Sequence, residues 1–366
     1  MPVSGTTAGE TAVDFTTRAD ALPDDAVRLF AAAETACVEL GLPWFANLAA
    51  QVFYEAQDQV RFYMVRRGGV LQAMLPVRAD TPAETAGGVT ALHGLANFYT
   101  ALYAPLCAAT CTQDDLAAVL LALRRDFPRA GSLKLAPMDP ASTAWSLLQG
   151  GLRQAGWKAF PFFAFGNWHQ HIDQSWPDYL AAREGVLRST IKRAGKKFAN
   201  AGGTLELITA PADVARGAAA WEKVYNASWK KPEPYPGFMP GLLQTYAEKG
   251  MLRLGVAWLD GAPIAAQVWI VGHGTAEIYK LAYDEAYKAH ASGTLLTAML
   301  MQHAIEIDRV TLVDYLIGDD AYKQAWTRDR RERFGIMAFN VRTPSGLLGW
   351  LRELAARAVK GLRKSA

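Results

Sequence analysis

The chain is poor in cysteine, with 3 among its 366 residues. Cys37, Cys107 and Cys111 are odd in number and have no metal-ligating partners at suitable spacing. This usage argues against a disulfide framework and a zinc site, and it is typical of small buried side chains in a reducing cytoplasm. The sequence therefore predicts a protein that holds no metal ion.

Long apolar runs and a strong excess of one charge are also missing. No run approaches the ~20 apolar residues that a helix needs to span a bilayer, and the N-terminus lacks the charged and then apolar pattern of a signal peptide. A net charge of +3 is too small to indicate a nucleic acid partner by itself. We therefore expect a cytoplasmic protein that binds no nucleic acid.

The composition is that of a folded globular protein, with 51% hydrophobic and 20% charged residues. Its length suits two domains. We expect a loose, flexible leader over residues 1–22, a first domain over 23–175, a second over 176–343 and a C-terminal helix over 344–366. Hairpins and helices follow each other in a similar order in both halves, so an internal duplication is one explanation of the pattern.

Residues 254–326 carry the most informative pattern. Apolar runs flank Asp260 and Gly261, a dipeptide typical of a tight β-hairpin. A third strand over 276–283 is followed by a polar stretch, and a helix begins at Gly293 and Thr294 and leads to a last strand over 310–316. A helix start that follows a strand and a turn of small residues can hold a phosphate with its free N–H groups.

Several side chains near these joints are candidates for acid and base chemistry. Asp314 projects from the last strand, and Asp284 lies before the turn, so either carboxylate is a candidate base. Lys280 lies among apolar residues in mid-strand, where an unpaired ammonium is costly. We therefore predict an ion pair of Lys280 with Asp314 that lines a cleft. His290 is kept as a candidate because it precedes Ser292.

Two further segments allow two interpretations each. The helix predicted from residue 176 to 198 is rich in arginine and lysine, and it includes Arg193. It is either a solvated helix face or an electropositive wall beside an anionic ligand. The loop over residues 229–240 contains four prolines and three aromatic residues. It is either one wall of a cleft or a domain-packing loop.

Short motifs stand in a characteristic order in residues 187–193, 265–269, 279–280 and 292–296, at Asp314, in residues 318–319, and at Tyr322 and Lys323. Taken together, these motifs resemble the GNAT-superfamily acyltransferases named for cellulose biosynthesis, which are similar to Fem-type aminoacyltransferases. The resemblance implies an α+β fold of two tandem GNAT-like domains, with mainly antiparallel sheets flanked by helices. It also implies transfer of an acyl group from a thioester, usually acyl-CoA, to an amine.

The resemblance also assigns roles to residues. Tyr322 and Lys323 are carried over from the family pattern, Tyr322 as a catalytic residue and Lys323 on the donor. Ser292, Gly293, Thr294 and Leu295, with Arg193, are the other donor-binding candidates. The usual GNAT pyrophosphate loop is absent, and residues 290–295 stand in its place. Acyl carrier protein or charged tRNA therefore remains open as an alternative donor.

The C-terminal segment predicts an amphipathic helix. From Leu347 onward, leucines and Trp350 occupy one half of the helical wheel, and five cations with one acid occupy the other. Such a helix is typical of a membrane interface, although packing on the protein's own body is the alternative. We expect residues 346–366 to contact the inner face of the cytoplasmic membrane.

The leading function is an acyl-CoA-dependent N-acyltransferase that forms an amide on an amphiphilic amine at the membrane surface. A long-chain (sphingoid) base is favoured as the acceptor, giving a ceramide-like lipid, as GNAT-like bacterial ceramide synthases do. The alternatives are an amino sugar, a peptidoglycan or exopolysaccharide precursor, or a non-catalytic GNAT-like assembly subunit. The acceptor, the acyl chain length and the oligomeric state stay open.

Overall fold

The computed structural model describes residues 9–80 and 91–365, except for the side chains of Gln57 and of residues 360–365. The chain forms two compact units. The first consists of Met1–Ala164 and Glu332–Ala366, and the second of Phe165–Arg331. The predicted α+β class is confirmed, because mainly antiparallel sheets are flanked by helices. No helix in the described part of the chain is long and apolar enough to cross a bilayer.

The first unit begins with an antiparallel sheet and ends its main run with a parallel strand. β4 and β6 pair in parallel, while β1, β2, β3 and β4 pair in antiparallel order. The elements are β1 (Thr11–Thr16), α1 (Asp24–Glu34), α2 (Leu42–Gln51), β2 (Val60–Arg67), β3 (Val70–Ala79), β4 (Ala91–Gly94), β5 (Leu106–Cys107), α3 (Gln113–Asp126), β6 (Ser132–Met138), α4 (Thr143–Gln154) and β7 (Lys158–His171), whose last residues belong to the second unit.

The predicted loose leader is wrong for residues 11–16, which form β1. This strand pairs with β2, with Thr11 opposite Arg67. Threonine, valine and phenylalanine favour strands, and the Phe15 ring lies 5.3 Å from the ring of Tyr63. Part of the predicted leader, residues 1–8, lies outside the described residues.

The second unit repeats this order of elements. β8, β9, β10 and β11 pair in antiparallel order, and β11 then pairs in parallel with β12. The elements are α5 (Trp176–Ala181), α6 (Gly185–Asn200), β8 (Thr204–Ile208), α7 (Val214–Asn226), α8 (Phe238–Glu248), β9 (Leu252–Leu259), β10 (Ala262–Gly272), β11 (Thr275–Tyr283), α9 (Ser292–Glu306), β12 (Leu312–Asp314), α10 (Ala321–Trp326) and β13 (Asp329–Phe339), which continues into the first unit before α11 (Pro344–Ser365).

The two units therefore share one topology. In the first, α3 lies between β4 and its parallel partner β6, and in the second, α9 lies between β11 and its parallel partner β12. The predicted hairpin at Asp260 and Gly261 is confirmed, because β9 and β10 pair in antiparallel order on either side of it. Asp260 and Gly261 turn with φ of 51° and 74°, which is the left-handed conformation that this dipeptide tolerates. An ancient duplication stays a prediction that the shared topology favours.

The C-terminal helix α11 lies against its own unit on one side only. The Arg357 guanidinium donates a 2.8 Å hydrogen bond to the Pro161 carbonyl and stacks over the Phe160 ring at 4.7 Å. Several apolar side chains are nevertheless at least 40% exposed, so they have no core to pack into. They are Leu347, Leu348, Leu351, Leu354 and Val359. The predicted cations Lys360, Arg363 and Lys364 have side chains outside the described part.

Candidate active site

The two parallel strands of the second unit separate at their carboxyl ends. Their pairing ends where Glu277 lies opposite Asp314. Beyond it β11 stays with β10 as far as Tyr283, whereas the Tyr315 N–H donates to the Trp168 carbonyl at 2.9 Å. One strand thus stays with β10 and the continuation of the other follows β7, which opens a V between them.

A β-bulge marks the arm of the V that belongs to β11. Val268 lies opposite Lys280 and Trp269 lies opposite Ile278, so Tyr279 is the extra residue. A bulge bends its strand and re-aims the side chains around it, and bulges are frequent next to active sites. The irregularity therefore coincides with the place where the strands part.

Helix α9 starts next to this opening. Ala291 precedes it in the left-handed conformation, with φ of 51°, and no side chain caps the helix start. The first backbone bond runs from the Leu295 N–H to the Ala291 carbonyl at 3.1 Å. In the described part of the chain, the N–H groups of Ser292, Gly293 and Thr294 have no recorded acceptor. This corner can therefore receive an anion.

A buried polar network supports the first turn of α9. The Gln267 side-chain amide donates to the Gly293 carbonyl at 2.7 Å and to Thr297 Oγ1 at 2.8 Å. Thr297 Oγ1 lies 2.6 Å from the Tyr322 hydroxyl. Gln267 and Thr297 are fully buried. Gln267 lies in the motif of residues 265–269, but sequence reasoning proposed neither residue for the site. The signal was a glutamine inside the apolar run of β10.

Tyr322 is the residue of this network that can exchange a proton with a ligand. Burial raises its pKa to about 12, so the hydroxyl keeps its proton at neutral pH. Because Gln267 donates to Thr297, the Thr297 hydroxyl can donate to the Tyr322 oxygen. The Tyr322 hydroxyl in turn donates a long hydrogen bond, of 3.4 Å, to the Gly293 carbonyl, so its proton lies at the start of α9.

The predicted ion pair between Lys280 and Asp314 is wrong. The Asp314 carboxylate accepts from Arg331, from the Asn167 amide at 2.6 Å and from the Leu316 N–H at 2.7 Å. Its strand partner is Glu277, so it lies where the strands still pair. Asp314 is buried and holds the chain as it turns away from β11, which favours a positioning role over that of a base.

Lys280 instead pairs with Glu233, at 2.8 Å. Glu233 belongs to the proline-rich loop after α7, which sequence reasoning left open between two roles. The loop also places Trp229 against Tyr283, with ring centroids 4.7 Å apart. The loop therefore lies against the outer half of β11. This position favours the interpretation of the loop as a cleft wall.

Sequence reasoning missed Lys230, a lysine of that loop. Its ammonium lies 5.6 Å from the Tyr225 ring centroid and 5.7 Å from that of Trp229. Burial, with the charge of Lys280, lowers the pKa of Lys230 to about 8. Lys230 therefore exists partly as a free amine near neutral pH.

Lys323 is engaged by the backbone. Its ammonium donates to the Tyr315 carbonyl at 3.1 Å and to the Ile317 carbonyl, and burial lowers its pKa. Asp320 caps α10 by accepting from the Lys323 N–H at 3.3 Å. Lys323 thus ties α10, which carries Tyr322, to the segment after β12. These bonds compete with its predicted contact with a donor.

The remaining sequence candidates surround the start of α9. Asp284 caps the short 3-10 helix Glu285–His290 by accepting from the Ala286 N–H at 2.9 Å. The ring of His290 lies 6.2 Å from the ring of Phe198 on α6. On the same helix Arg193 is exposed, and the Lys197 ammonium lies 3.5 Å from the Ala289 carbonyl. Lys197 of α6 therefore borders this corner.

The described residues contain no group of three or more His, Cys, Asp or Glu side chains that could hold a metal ion.

Comparison with known proteins finds similarity in sequence and in fold. Residues 186–324 match the family model described as an acetyltransferase (GNAT) domain, and this segment contains every site residue proposed from the sequence. A crystal structure of FemX superimposes with a TM-score of 0.53 at 12% identity, covering 76% of this chain and 87% of that one. A protein of unknown function from Bacteroides thetaiotaomicron VPI-5482 gives a TM-score of 0.51 at 13% identity, covering 81% and 90%. No curated protein matches the chain.

The two solved structures show the fold alone at these identities. The family match shows that residues 186–324 are similar to GNAT acetyltransferase domains. The second unit is therefore supported as a GNAT-type acyltransferase domain, with its opened strands and the uncapped helix between them.

Proposed function

We propose that the protein is an N-acyltransferase that takes an acyl group from acyl-CoA and forms an amide on an amine. The observation that carries the proposal is the uncapped start of α9 beside the parted strands. The pyrophosphate of the donor would accept hydrogen bonds from the N–H groups of Ser292, Gly293 and Thr294. Arg193 and Lys197 on α6 would add positive charge at its edge.

The first unit supplies an internal comparison. Its helix α3 holds the same place in the topology, but Thr112 and Asp115 form a capping box there. The Asp115 carboxylate accepts from the Thr112 N–H at 2.8 Å, and Asp114 is also in the first turn. Acidic side chains repel an anion from that helix start. We therefore assign the donor to the second unit only.

The chemistry follows from the same residues. The amine nitrogen attacks the thioester carbonyl, a C–N bond forms, the C–S bond breaks and the nitrogen loses a proton. Tyr322 would protonate the departing thiolate, because its hydroxyl keeps a proton at neutral pH and is oriented by Thr297. No covalent enzyme intermediate is required.

The decisive experiment is a charge placed at the helix start. In Thr294→Glu the new carboxylate can reach back to the helix N–H groups, as in a capping box, and it occupies the place of the donor phosphates. Calorimetry with palmitoyl-CoA should show binding at least about tenfold weaker, a loss of about 1.4 kcal/mol. Unfolding by urea should show a fold that is as stable or slightly more stable.

Thr294→Gln is the matched control, since it adds the same bulk without charge. We expect its affinity for palmitoyl-CoA to stay within about threefold of the wild type. The wild-type chain should bind one donor, because only one of the two helix starts is uncapped. Equal binding by the glutamate and glutamine variants, or two donors per chain, would contradict the assignment.

For the acceptor, we propose an amphiphilic amine at a membrane surface, with a long-chain sphingoid base to be tested first. The support is the exposed apolar face of α11, which carries Leu347, Leu351 and Leu354 on successive turns together with cations such as Arg352. An interfacial helix would bring the enzyme to an acceptor dissolved in the bilayer. An amino sugar or a peptidoglycan or exopolysaccharide precursor is the second candidate.

Vesicle flotation tests this membrane contact. The wild type should float with vesicles rich in phosphatidylglycerol, and less with phosphatidylcholine alone. Replacing Leu347, Leu351 and Leu354 by serine should abolish flotation while leaving palmitoyl-CoA binding unchanged. Equal flotation of the two proteins would remove the membrane from the proposal. Mass spectrometry of a reaction with palmitoyl-CoA and sphinganine then tests the amide directly.

A further inference from the structure

The loop after α7 brings two ammonium groups to one aromatic ring. Lys230 and Lys280 each lie 5.6 Å from the centroid of the Tyr225 ring. Lys280 has a carboxylate partner, Glu233, at 2.8 Å. For the Lys230 ammonium, the described residues offer rings but no hydrogen bond or ion pair. The two lysines therefore differ in their partners: Lys280 is paired with a carboxylate, and Lys230 is not.

Ring contacts link Lys230 to the end of β11, the arm of the V that stays with β10. The Lys230 ammonium lies over the ring of Trp229, and that ring packs against Tyr283 at the end of β11. Tyr283 in turn lies next to the start of α9, since a Cβ on Gly293 would be 3.6 Å from its ring. Contacts thus run from Lys230 to the corner assigned to the donor.

We propose that Lys230 is the general base of the transfer and takes the proton from the acceptor amine as its nitrogen attacks the thioester. This inference rests on the proposed function. In the step, the unprotonated Lys230 nitrogen gains the proton that the acceptor nitrogen loses on forming the C–N bond. Tyr322 supplies a proton to the thiolate, so the products are an amide and free CoA thiol.

The surroundings of Lys230 explain why it can act as a base. Burial is the main cause that lowers its pKa to about 8, the charges of Lys280 and Lys323 lower it further, and Glu233 and Asp320 act in the opposite sense. A base is most effective when its pKa lies near the working pH. Glu233 is less suited to this role because its carboxylate is already bound to Lys280.

Titration of Lys230 can be measured without any substrate. Trace acetylation by acetic anhydride, read out by mass spectrometry of the Lys230 peptide between pH 6 and pH 11, reports the fraction of free amine. We expect a midpoint near pH 8, a higher midpoint in Lys280→Met, which removes a like charge, and a lower one in Glu233→Gln. A midpoint near about 10.4, the ordinary lysine value, would overturn the proposal.

Turnover with palmitoyl-CoA and sphinganine tests the role itself. Lys230→Met should lower kcat by about 100-fold or more with unchanged palmitoyl-CoA affinity. Lys230→Arg should be as inactive, because arginine keeps the charge and the ring contact but does not deprotonate. Lys231→Met, at an exposed neighbouring position, is the control and should match the wild type.

Aminoethylation of Lys230→Cys places a thialysine at position 230, and this should restore activity. Wild-type protein treated in parallel is the control. Because thialysine is less basic than lysine, the acid limb of the kcat/KM profile should move to lower pH. Rescue by arginine, or an unchanged profile, would show that only the charge matters and would sink the general base. If palmitoyl-CoA does not bind to the wild type, the proposed function itself fails, whatever the titration of Lys230.

Discussion

The Glu233 carboxylate and the Lys280 ammonium lie 2.8 Å apart, which joins the loop after α7 to the outer half of β11. Their side chains are only 10% and 17% exposed. Each charge therefore depends on the other for stabilisation that water does not fully supply. The pair holds the loop that carries Lys230 and Trp229 in place.

Breaking this pair should destabilise the fold. Glu233→Gln and Lys280→Met should each cost about 3 kcal/mol of unfolding free energy, because each leaves a poorly solvated charge. The double variant should cost clearly less than the sum. Urea unfolding checks this, with Arg216→Met as the control, since the Arg216–Glu206 pair is 49% and 35% exposed and should contribute under about 1 kcal/mol. Additive losses would contradict the coupling.

Removing the Tyr322 hydroxyl should affect rate more than stability. Tyr322→Phe should lower kcat by about 100-fold and the unfolding free energy by only about 1 kcal/mol, because Thr297 keeps Gln267 and the Gly293 carbonyl as partners. Thiol release from palmitoyl-CoA measures the rate. Tyr315→Phe is the control, since in the described structure the buried Tyr315 hydroxyl has no partner and its loss should be neutral. Equal rates in both variants would exclude Tyr322 as the acid.

Asp314→Asn, in contrast to Tyr322→Phe, should affect stability more than rate. Its carboxylate is bound by Arg331 and Asn167, so the substitution should lower the unfolding free energy by about 2–3 kcal/mol. Turnover per folded molecule should stay within about fivefold of the wild type. Urea unfolding and active-site titration separate the two quantities. A loss of turnover without a loss of stability would restore Asp314 as a base.

His169 makes stability depend on pH. Burial, with the charge of Arg331, lowers the pKa of His169, and its buried Nδ1 has no hydrogen-bond partner in the described structure. In the unfolded chain the histidine pKa is about 6.5, so the unfolded state binds the proton more readily than the folded state. This contribution to stability is complete above about pH 6.5 and is lost as the pH falls toward the folded value.

Unfolding free energies measured between pH 5 and pH 7.5 check the histidine. In His169→Gln the unfolding free energy should fall less with decreasing pH than in the wild type. Above about pH 7 the two proteins should show the same dependence of unfolding free energy on pH. Parallel curves over the whole range would show that His169 does not contribute to the acid sensitivity.

Local patterns predicted the elements well. Asp260 and Gly261 specify a hairpin by themselves, because few dipeptides accept two positive φ angles. The helix from Gly293 was placed within a residue or two of α9, which begins at Ser292. Each of these features depends on neighbours within a few residues.

The site was harder to predict because its partners are distant in the chain. Lys280 finds Glu233, and Asp314 finds Asn167 and Arg331. No local rule selects between two carboxylates for one buried lysine. Gln267 could have been singled out, since a glutamine inside an apolar strand needs a buried partner. β1 was missed because short edge strands carry a weak pattern.

The backbone at Ala291 and the helix start that follows it both lower the stability of the fold. An alanine with φ of 51° costs about 1 kcal/mol relative to glycine, and the helix that follows it has no cap. Stabilising substitutions are therefore easiest to find at residues 291–294. If that corner receives the donor, such repairs would produce a sturdier protein that no longer works.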